Sequence, residues 1–297
     1  IRIGVLSHRG DSATAINWAA TAKYLTQQLP EHHFVIVPLD FDEIEPQVGH
    51  AGIHFILVNP SIYVLLEVRH RITRIATLSR VIDGKYQNQF GGVLFTTKRR
   101  NDINTLADIR GKRVMAVDPK SLGGFQMAIR EMADQGIDTD TDLDIQFAGI
   151  HDDVVKAVLK GETDVGTVRT GILESMHQSG QIDLNKLSII NQKFNDGFSQ
   201  LHSTRLYPEW PFSKLPKTSD ELAQNVAIAL MKMPKMHNEN DERSIKSIIF
   251  PCSLKIATSI KYMPDQTSVT FLDSANILGI AKGHAMASSI DQNVPRN

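Results

Sequence analysis

Short apolar runs alternate with amphipathic stretches along residues 1–198 of the chain. The runs are rich in β-branched residues and have the length of strands, whereas the stretches between them repeat apolar residues at helical spacing. Strands and helices that alternate in this way are typical of an α/β fold with largely parallel sheets. The pattern predicts strands at Arg2–Ser7, Phe34–Leu39, Ile53–Val58, Arg74–Val81, Gly92–Thr97, Arg113–Val117, Leu143–Phe147, Asp164–Arg169 and Leu187–Asn191.

The helical pattern is clearest in Thr14–Leu29, which ends before Pro30, a residue that cannot continue a helix. Its spacing predicts an apolar face that includes Ile16, Tyr24 and Leu25. Near residue 219, a Ser-Asp-Glu run precedes another apolar pattern and predicts a capped helix start. Further helices are predicted at Ser61–Val68, Phe125–Gln135, Asp152–Leu159 and Ile172–Ser179.

The alternation falls into two phases, and each phase predicts one α/β lobe. Residues 1–97 form the first block, which ends in the strand GGVLFTTK, and residues 98–198 form the second. Residues 199–234 contain three prolines and then a helical pattern, and are predicted to return to the first lobe. Two lobes joined by crossing strands enclose a cleft that commonly binds a ligand. Residues 235–297 lack this periodicity, and the sequence assigns them no fold.

Composition restricts the class of protein further. With 41% hydrophobic and 22% charged residues among 297, the chain has the make-up of a soluble globular protein of one large or two ordinary domains. Its 32 basic and 33 acidic residues give a formal net charge of -1, so no nucleic-acid partner is expected. The single cysteine, Cys252, excludes an intramolecular disulfide, but it is compatible with both the cytoplasm and the bacterial periplasm.

Neither a membrane span nor an initiator methionine is present in the sequence. No run approaches the ~20 apolar residues that a membrane span requires. The chain starts directly on a strand and without an initiator methionine. We therefore expect a mature or excised fragment whose leader lies outside this sequence.

Small polar residues follow four of the predicted strands, where ligands of open α/β sheets gather. The clearest case is VDPKSLGGFQMAIREM, residues 117–132, in which a strand leads through Ser121, Gly123 and Gly124 into a helix. A glycine-rich turn at a helix N-terminus exposes backbone N–H groups that bind anions. An ordinary β–α turn capped by the serine is the alternative interpretation.

The second predicted lobe contributes another cluster, in the segment of residues 148–176. His151 precedes the start of a helix there, and Arg169 and Thr170 follow the next strand. A guanidinium at this position could clamp an oxyanion with two parallel hydrogen bonds. An ordinary ion pair between Arg169 and a nearby carboxylate is the alternative.

The first predicted lobe contributes two clusters: His8 and Arg9 follow its first strand, and Asn59 and Ser61 follow its third. Four donor clusters split between two lobes predict an anion site in the cleft. The sequence contains none of the GxSxG, GxxxxGK[ST], GxGxxG and HExxH motifs, which weakens the hypothesis of an enzyme. Neither a cofactor nor a metal site is expected.

Several of these segments, in the right order along the chain, resemble a known family. They are FILVNPSIYVLLEVRHRITRIATLSR, VDPKSLGGFQMA, GIHDDVVKAVLKGETDVGTVRTGILE and YPEWPFSKLPKTSDELAQNVAIALMKMP. The family is the phosphate/phosphite/phosphonate-binding-protein-like superfamily, in particular the periplasmic sensor domains of bacterial histidine kinases of the tetrathionate-sensor type. The resemblance covers residues 1 to about 234.

The resemblance implies a bilobal type II periplasmic-binding-protein fold and a periplasmic domain that binds a small anion without chemistry. It implies signalling to a membrane-bound histidine kinase module in the same or a partner chain. A free substrate-binding protein of an ABC importer is the alternative on the same fold. The ligand contacts that the resemblance implies are Asn59, Ser121, Gly123, Gly124, His151, Arg169 and Thr170, together with His8 and Arg9.

The family comparison also bears on the ligand. In phosphonate binders, acidic residues help to accept ammonium or protonated phosphonate groups. Here Arg169 follows the strand instead, which favours a fully ionised sulfur oxyanion or a carboxylate. The resemblance suggests tetrathionate, and a related sulfur oxyanion, a phosphonate or a carboxylate is the alternative ligand.

Other hypotheses concern different classes of protein and the tail. An enzyme built on the same fold would turn over candidate anions, and the effector-binding domain of a transcription regulator would adjoin a helix-turn-helix segment. After residue 234 the sequence lacks the helix and membrane-directed segment expected of the family. A reading-frame shift near residues 234–237 or a truncated gene copy would explain this departure, and sequencing of the locus tests both.

Overall fold

The computed structural model describes residues 1–233 and 247–251, which form two α/β lobes. The strands are β1 (Arg2–Leu6), β2 (Val35–Leu39), β3 (Phe55–Leu57), β4 (Thr73–Ile82), β5 (Lys85–Gln87), β6 (Gln89–Phe90), β7 (Gly92–Thr97), β8 (Arg113–Ala116), β9 (Asp144–Phe147), β10 (Val165–Arg169), β11 (Leu187–Ile190), β12 (Tyr207–Pro208), β13 (Pro211–Lys214) and β14 (Ser247–Pro251). The helices are α1 (Asp11–Gln28), α2 (Ile44–Gly49), α3 (Pro60–His70), α4 (Met127–Asp134), α5 (His151–Lys160), α6 (Ile172–Gln178) and α7 (Asp220–Met231).

Lobe I contains the larger sheet, with strand order β14-β4-β13-β3-β1-β2 and with β5 paired to β4. Strand β1 runs parallel to β2 and β3, whereas β13 pairs antiparallel with β3 and β4. Phe55 of β3 and Phe212 of β13 are fully buried, and their rings stack with centroids 5.4 Å apart. The C-terminal part of the described chain thereby completes the core that the N-terminal part begins.

Lobe II contains a second sheet with strand order β11-β7-β10-β8-β9. Strand β8 runs parallel to β9 and β10, whereas β7 pairs antiparallel with β10 and β11. Strand β10 therefore occupies the centre of the sheet, and all five of its residues are buried. A π-helical turn at Leu122–Gln126 follows β8 and leads into α4.

Two short strands connect the lobes. Strands β6 and β12 pair antiparallel, so the chain enters lobe II just after β6 and returns to lobe I through β12. The sequence prediction placed Gly92–Thr97 at the end of lobe I, but its pairing with β10 and β11 places it in lobe II. The strand follows the crossing by only one residue, and the sequence carries no sign of which sheet such a strand joins.

The nine predicted strands and six predicted helices are all present, with some differences at their ends. The prediction included crossing strands between the lobes but did not locate them, and it missed α2 and the strands β5, β13 and β14. The predicted face of α1 was right in part, because Leu25 is buried and Tyr24 packs against the core. Ile16 is 66% exposed, however, and Thr14 and Thr21 are buried instead. Alanines on every side of this helix leave little contrast between its faces.

Two further points concern the ends of the chain. Within residues 1–233 and 247–251, no helix is long and apolar enough to cross a membrane. The prediction for residues 235–297 falls mostly outside the described residues. The part inside them is β14, which pairs antiparallel with β4 at the edge of the lobe I sheet.

Candidate functional site

The cleft between the lobes contains a cavity of about 870 Å³. The carboxyl ends of β1 and β10 approach each other there, and the backbone N–H of His151 in lobe II donates to the carbonyl of His8 in lobe I at 3.2 Å. Each lobe provides one wall. The residues that line the cavity include His8, Arg9, Trp18, Arg80 and Trp210 from lobe I and Asp152, Arg169, Thr170 and Ser175 from lobe II.

Arg169 is the last residue of β10 and lies in the cavity wall with 3% of its surface exposed. Its guanidinium carbon lies 4.2 Å from the ring centroid of Phe90 and 5.6 Å from that of Trp210. Such cation–π contacts orient the guanidinium plane. Burial, together with the nearby Arg80, lowers the pKa of Arg169 to about 10, so its side chain is charged at neutral pH.

Glu209 holds one edge of this guanidinium. Its Oε1 accepts a hydrogen bond from Nη2 of Arg169 and lies 3.4 Å from Nε of Arg80. Its Oε2 accepts a hydrogen bond from the backbone N–H of Trp210 at 3.2 Å. The carboxylate is 1% exposed, so Glu209 of lobe I and Arg169 of lobe II form a buried ion pair across the two lobes.

Several buried donors on the cavity wall make no hydrogen bond within the described residues. They are Nε and Nη1 of Arg169 and Nε1 of Trp210, and Nε of Arg80 has only its ion pair with Glu209. More than nine in ten buried polar groups in proteins are hydrogen-bonded, and an unsatisfied donor is costly. Nε–H of a guanidinium shares its edge with Nη2, and Nη1 lies on the side of Cδ, so Nε and Nη1 of Arg169 are two separate donors.

Two histidines adjoin these donors. The ring of His8 lies 4.9 Å from that of Trp210 and 5.5 Å from that of His151, and Nδ1 of His151 accepts the backbone N–H of Arg169 at 3.3 Å. Burial and the charge of Arg169 lower the pKa of His151 to about 3. Burial and the neighbouring His151 hold the pKa of His8 well below its usual value. Both rings are therefore neutral at neutral pH and add no charge to the cavity.

Arg9 bridges the cleft on the other side of the cavity. Its Nε and Nη2 each donate to one carboxylate oxygen of Asp152 at 2.7 Å, and its Nη1 donates to Oγ of Ser175 at 3.0 Å. Asp152 lies in the first turn of α5, where the helix dipole also favours a negative charge. The bidentate pair connects the lobes and is neutral as a unit.

A second connection lies outside the cavity. Nδ2 of Asn59 in lobe I donates to the carbonyl of Lys120 in lobe II at 3.1 Å, and Nζ of Lys120 donates to Asp42 at 2.7 Å. The Arg9–Asp152 and Asn59–Lys120 contacts join the two lobes at two places along the cleft, so the lobes are in a closed arrangement.

Four of the predicted ligand residues line the cavity, namely His8, Arg9, Arg169 and Thr170. His151 adjoins it through the backbone N–H of Arg169. The structure places the other five away from the wall, and these are Asn59, Ser61, Ser121, Gly123 and Gly124.

Asn59 and Ser121 act as helix caps. Oδ1 of Asn59 accepts the backbone N–H of Ile62 at 3.0 Å, and Oγ of Ser121 accepts that of Gly124 at 3.2 Å. These are the groups that satisfy orphan donors at a helix N-terminus, so the local structure already uses them.

The two glycines provide space for the residues of the site. A Cβ at Gly123 would lie 2.9 Å from Phe90 and 3.1 Å from Arg169, and a Cβ at Gly124 would lie 2.8 Å from Cε1 of His151. Their bare backbone lets Arg169 and His151 pack close to the turn. The contribution of this turn to the site is therefore one of packing.

Sequence reasoning missed Arg80, Glu209 and Trp210. The Glu-Trp pair stands between two prolines in YPEWPF, and an acidic residue beside a tryptophan in such a rigid, apolar context was the available signal. The view that Arg169 stands in place of acidic residues was incomplete, because Glu209 and Asp152 both adjoin the cavity. Each of them is paired with an arginine of the site.

Comparison with known proteins agrees with this architecture. A family model described as the periplasmic substrate-binding protein of a phosphonate ABC transporter matches residues 3–251. The match extends past residue 234, where the sequence resemblance was expected to end.

A curated relative is the tetrathionate sensor histidine kinase TtrS of Salmonella typhimurium. It is 32% identical over 233 residues, which are 78% of this chain. The chain spans only 39% of the length of that relative. The resemblance inferred from the sequence segments is therefore confirmed for the binding domain.

Solved structures show the same fold. PhnD1 of Prochlorococcus marinus, in complex with methylphosphonate, superposes with a TM-score of 0.70 at 12% identity over 95% of this chain and 98% of its own. A binding-protein component of a phosphonate ABC transporter from Pseudomonas aeruginosa gives 0.68 at 16% identity, over 84% and 80%. The predicted bilobal type II periplasmic-binding-protein fold is thereby confirmed.

Proposed function

Because the chain belongs to the family of periplasmic substrate-binding proteins of phosphonate ABC transporters, we propose that it is a periplasmic sensor domain for a small oxyanion. The anion binds in the cleft and the closed state signals to a membrane-bound histidine kinase module. The observation that carries the proposal is the guanidinium of Arg169, a buried residue of the cavity wall whose Nε and Nη1 have no hydrogen-bond acceptor among the described residues.

The unpaired donors of Arg169 favour an anion. A buried guanidinium with unmade hydrogen bonds is costly, and an oxyanion that accepts from Nε or Nη1 would lower that cost. Trp210, another residue of the cavity wall, has a third buried donor without an acceptor in the described residues, its Nε1. Because Glu209 already accepts from Nη2 of Arg169, the guanidinium is held in a fixed orientation before the ligand arrives.

Ligand binding is coupled to closure because the site is assembled from both lobes. Arg169 belongs to lobe II and Trp210 to lobe I, so an anion that contacts both binds the closed state better than an open one. Differential affinity of this kind shifts an equilibrium between open and closed states. The Arg9–Asp152 pair and the Asn59–Lys120 contact are further interactions that separation of the lobes would break.

Similarity to TtrS supports the sensor role, and the description of the matching family supports the alternative of a free binding protein of an ABC importer. The two roles share the ligand site and differ in the output. Ligand-dependent phosphorylation of a kinase module encoded in the same or a neighbouring gene distinguishes the sensor from the importer component.

The ligand proposal is tested by a thermal-shift screen of the purified chain with methylphosphonate, sulfate, thiosulfate, tetrathionate and acetate. A ligand that binds only the folded state raises the melting temperature by mass action. Arg169→Ala is expected to weaken the best hit at least about tenfold, because a hydrogen bond from a charged donor contributes roughly 1.5–3 kcal/mol.

Arg110→Ala is the matched control, since Arg110 is a half-exposed arginine of lobe II that pairs with Asp142 outside the cavity. It should leave the affinity unchanged. Binding that survives Arg169→Ala would exclude the proposed site.

A further inference from the structure

Within residues 1–233 and 247–251, five charges line the cavity or lie directly behind its wall. Three are positive and two are negative, on Arg9, Arg80, Arg169, Asp152 and Glu209. Arg9 and Asp152 neutralise each other's charge through two hydrogen bonds of 2.7 Å. The remaining three charges share Glu209 as their centre, so the inner part of the site carries one excess positive charge.

The histidines do not change this count. The pKa of His8 and that of His151 are both lowered, chiefly by burial, so neither ring is protonated at neutral pH. The excess charge is therefore located on the two guanidinium groups beside Glu209.

Glu209 is fixed in this position by contacts on all sides. Its side chain is 1% exposed, Oε1 faces Arg169 and Arg80, and Oε2 accepts the backbone N–H of Trp210. Its own backbone N–H donates to the carbonyl of Asn88 at 2.8 Å, next to the crossing strand β6. The carboxylate thus cannot turn away when a ligand arrives, and its charge is a permanent part of the site.

We propose that Glu209 is a specificity residue that restricts the site to an anionic head group carrying a single negative charge. This inference rests on the proposed anion site and defines the charge class of its ligand. A monoanion neutralises the excess positive charge, whereas a dianion leaves a net negative charge next to a buried carboxylate.

Two electrostatic effects act in the same direction. The cost of removing an ion from water rises with the square of its charge, whereas its attraction to a fixed site rises only in proportion. At an effective dielectric constant of about 20, one unit charge a few ångströms away changes an affinity by roughly tenfold or more. The charge of Glu209 is therefore large enough to decide between ligands of equal shape.

Methanesulfonate and sulfate provide the test, because they are similar tetrahedral sulfur oxyanions with one and two negative charges. Isothermal titration of the wild-type chain at neutral pH is expected to show methanesulfonate binding at least about tenfold more tightly than sulfate. Glu209→Gln keeps the size and a hydrogen-bond acceptor but adds one net positive charge. It is expected to reverse the preference or abolish it.

The double variant Arg80→Met, Glu209→Gln separates charge from packing. It restores the single excess charge while altering two buried neighbours, so the preference for methanesulfonate is expected to return. If Glu209 acted only through packing, the double variant would bind no more selectively than Glu209→Gln. That result would overturn the inference.

Arg80→Met alone provides a second route if Glu209→Gln does not fold. It removes the excess charge, so both anions should bind more weakly and sulfate should lose more than methanesulfonate. An unchanged ratio would contradict the role of charge. Equal affinities or a preference for sulfate in the wild type would do so as well.

Failure of the underlying anion site gives a different result. In that case neither anion binds the wild type, or both bind Arg169→Ala as tightly as the wild type. Either result rejects the anion site together with its preference for a single negative charge. Binding that depends on Arg169 but shows no charge preference retains the site and rejects only the role of Glu209.

Discussion

Two groups of polar side chains lie next to the cleft, and they differ in whether the protein itself supplies their hydrogen-bond partners. In the first group, Asn59 and Ser121 accept backbone N–H groups of their own helices, and Asn59 also contacts Lys120 across the lobes. In the second group, Arg169 and Trp210 retain buried donors without an acceptor in the described residues. The fold supplies partners to the first group, and the proposed anion would supply them to the second.

The difference shows that position at a strand end does not identify a ligand contact. A serine or asparagine before a helix has a local use as a cap, and local partners are reached before distant ones. A guanidinium on a buried central strand has no such local use. Its presence requires a partner brought from elsewhere in the chain or from solution.

The largest effect that would sharpen the comparison is expected at Gly124. In Gly124→Ala the added Cβ would lie 2.5 Å from Val117 and 2.8 Å from His151. Overpacking of a buried junction costs roughly 1–3 kcal/mol, so we expect the free energy of unfolding in urea to fall by about 2 kcal/mol. Gly49→Ala is the control, since its nearest neighbour would be 3.6 Å away and it should be nearly neutral. A stable Gly124→Ala variant with lost anion affinity would instead make this turn a ligand contact.

The next effect concerns Trp210, whose Nε1 belongs to the second group. Trp210→Phe keeps an aromatic ring beside Arg169 but removes the donor. Because a hydrogen bond to a charged acceptor is worth about 1.5 kcal/mol or more, anion affinity should fall about tenfold in a titration. Tyr24→Phe, which removes an aromatic donor that bonds the carbonyl of Ala229 at 2.9 Å outside the cavity, should change it little. Unaltered affinity in Trp210→Phe would remove this donor from the site.

A smaller effect is expected from Ser121→Ala, which removes a cap of the first group. Loss of an N-cap costs typically about 1 kcal/mol, and Ser219→Ala at the start of α7 should cost a similar amount. Both variants should bind the anion as the wild type does. A selective loss of affinity in Ser121→Ala, measured against Ser219→Ala, would restore the serine to the list of ligand donors.

A further effect, which varies with pH, involves His151. Its pKa of about 3 in the folded protein lies below the ordinary value of 6.5, so the unfolded state binds protons first as the pH falls. Stability should therefore decrease between these two values, by at most about 1.4 kcal/mol per pH unit from this group. His151→Asn, which keeps an acceptor near Arg169, should flatten that slope of unfolding free energy against pH. The exposed His33→Asn should not, and identical slopes in both variants would contradict the assignment.

Much of the fold could be predicted from the sequence because its signals are local. Runs of apolar residues found the nine long strands, and Pro30 and the run beginning at Ser219 marked helix ends. The positions of the crossing strands were missed because two-residue strands have no periodicity. The side that Gly92–Thr97 joins depends on pairing with β10 and β11, which lie far along the chain.

The site was predicted in part for the same reason. Arg169 was found because it stands at the carboxyl end of a predicted strand, which is a local property. Glu209 lies 40 residues farther along the chain and reaches Arg169 only through the return to lobe I. The capping role of Asn59 and Ser121 could not be separated from ligand binding by sequence alone, since the same residue types serve both.

The crossing region has a consequence for the modularity of the chain. Lobe II is one contiguous segment, and its two ends lie side by side. The N–H of Ser203 donates to the carbonyl of Gly92 at 2.8 Å, and the N–H of Gly92 donates to Oγ1 of Thr204 at 2.9 Å. A segment whose two ends are hydrogen-bonded to each other has the geometry of an inserted domain. Lobe II could accordingly be exchanged as one segment between relatives. The exchange would transfer Arg169 with lobe II and leave Glu209 and Trp210 in lobe I of the recipient protein.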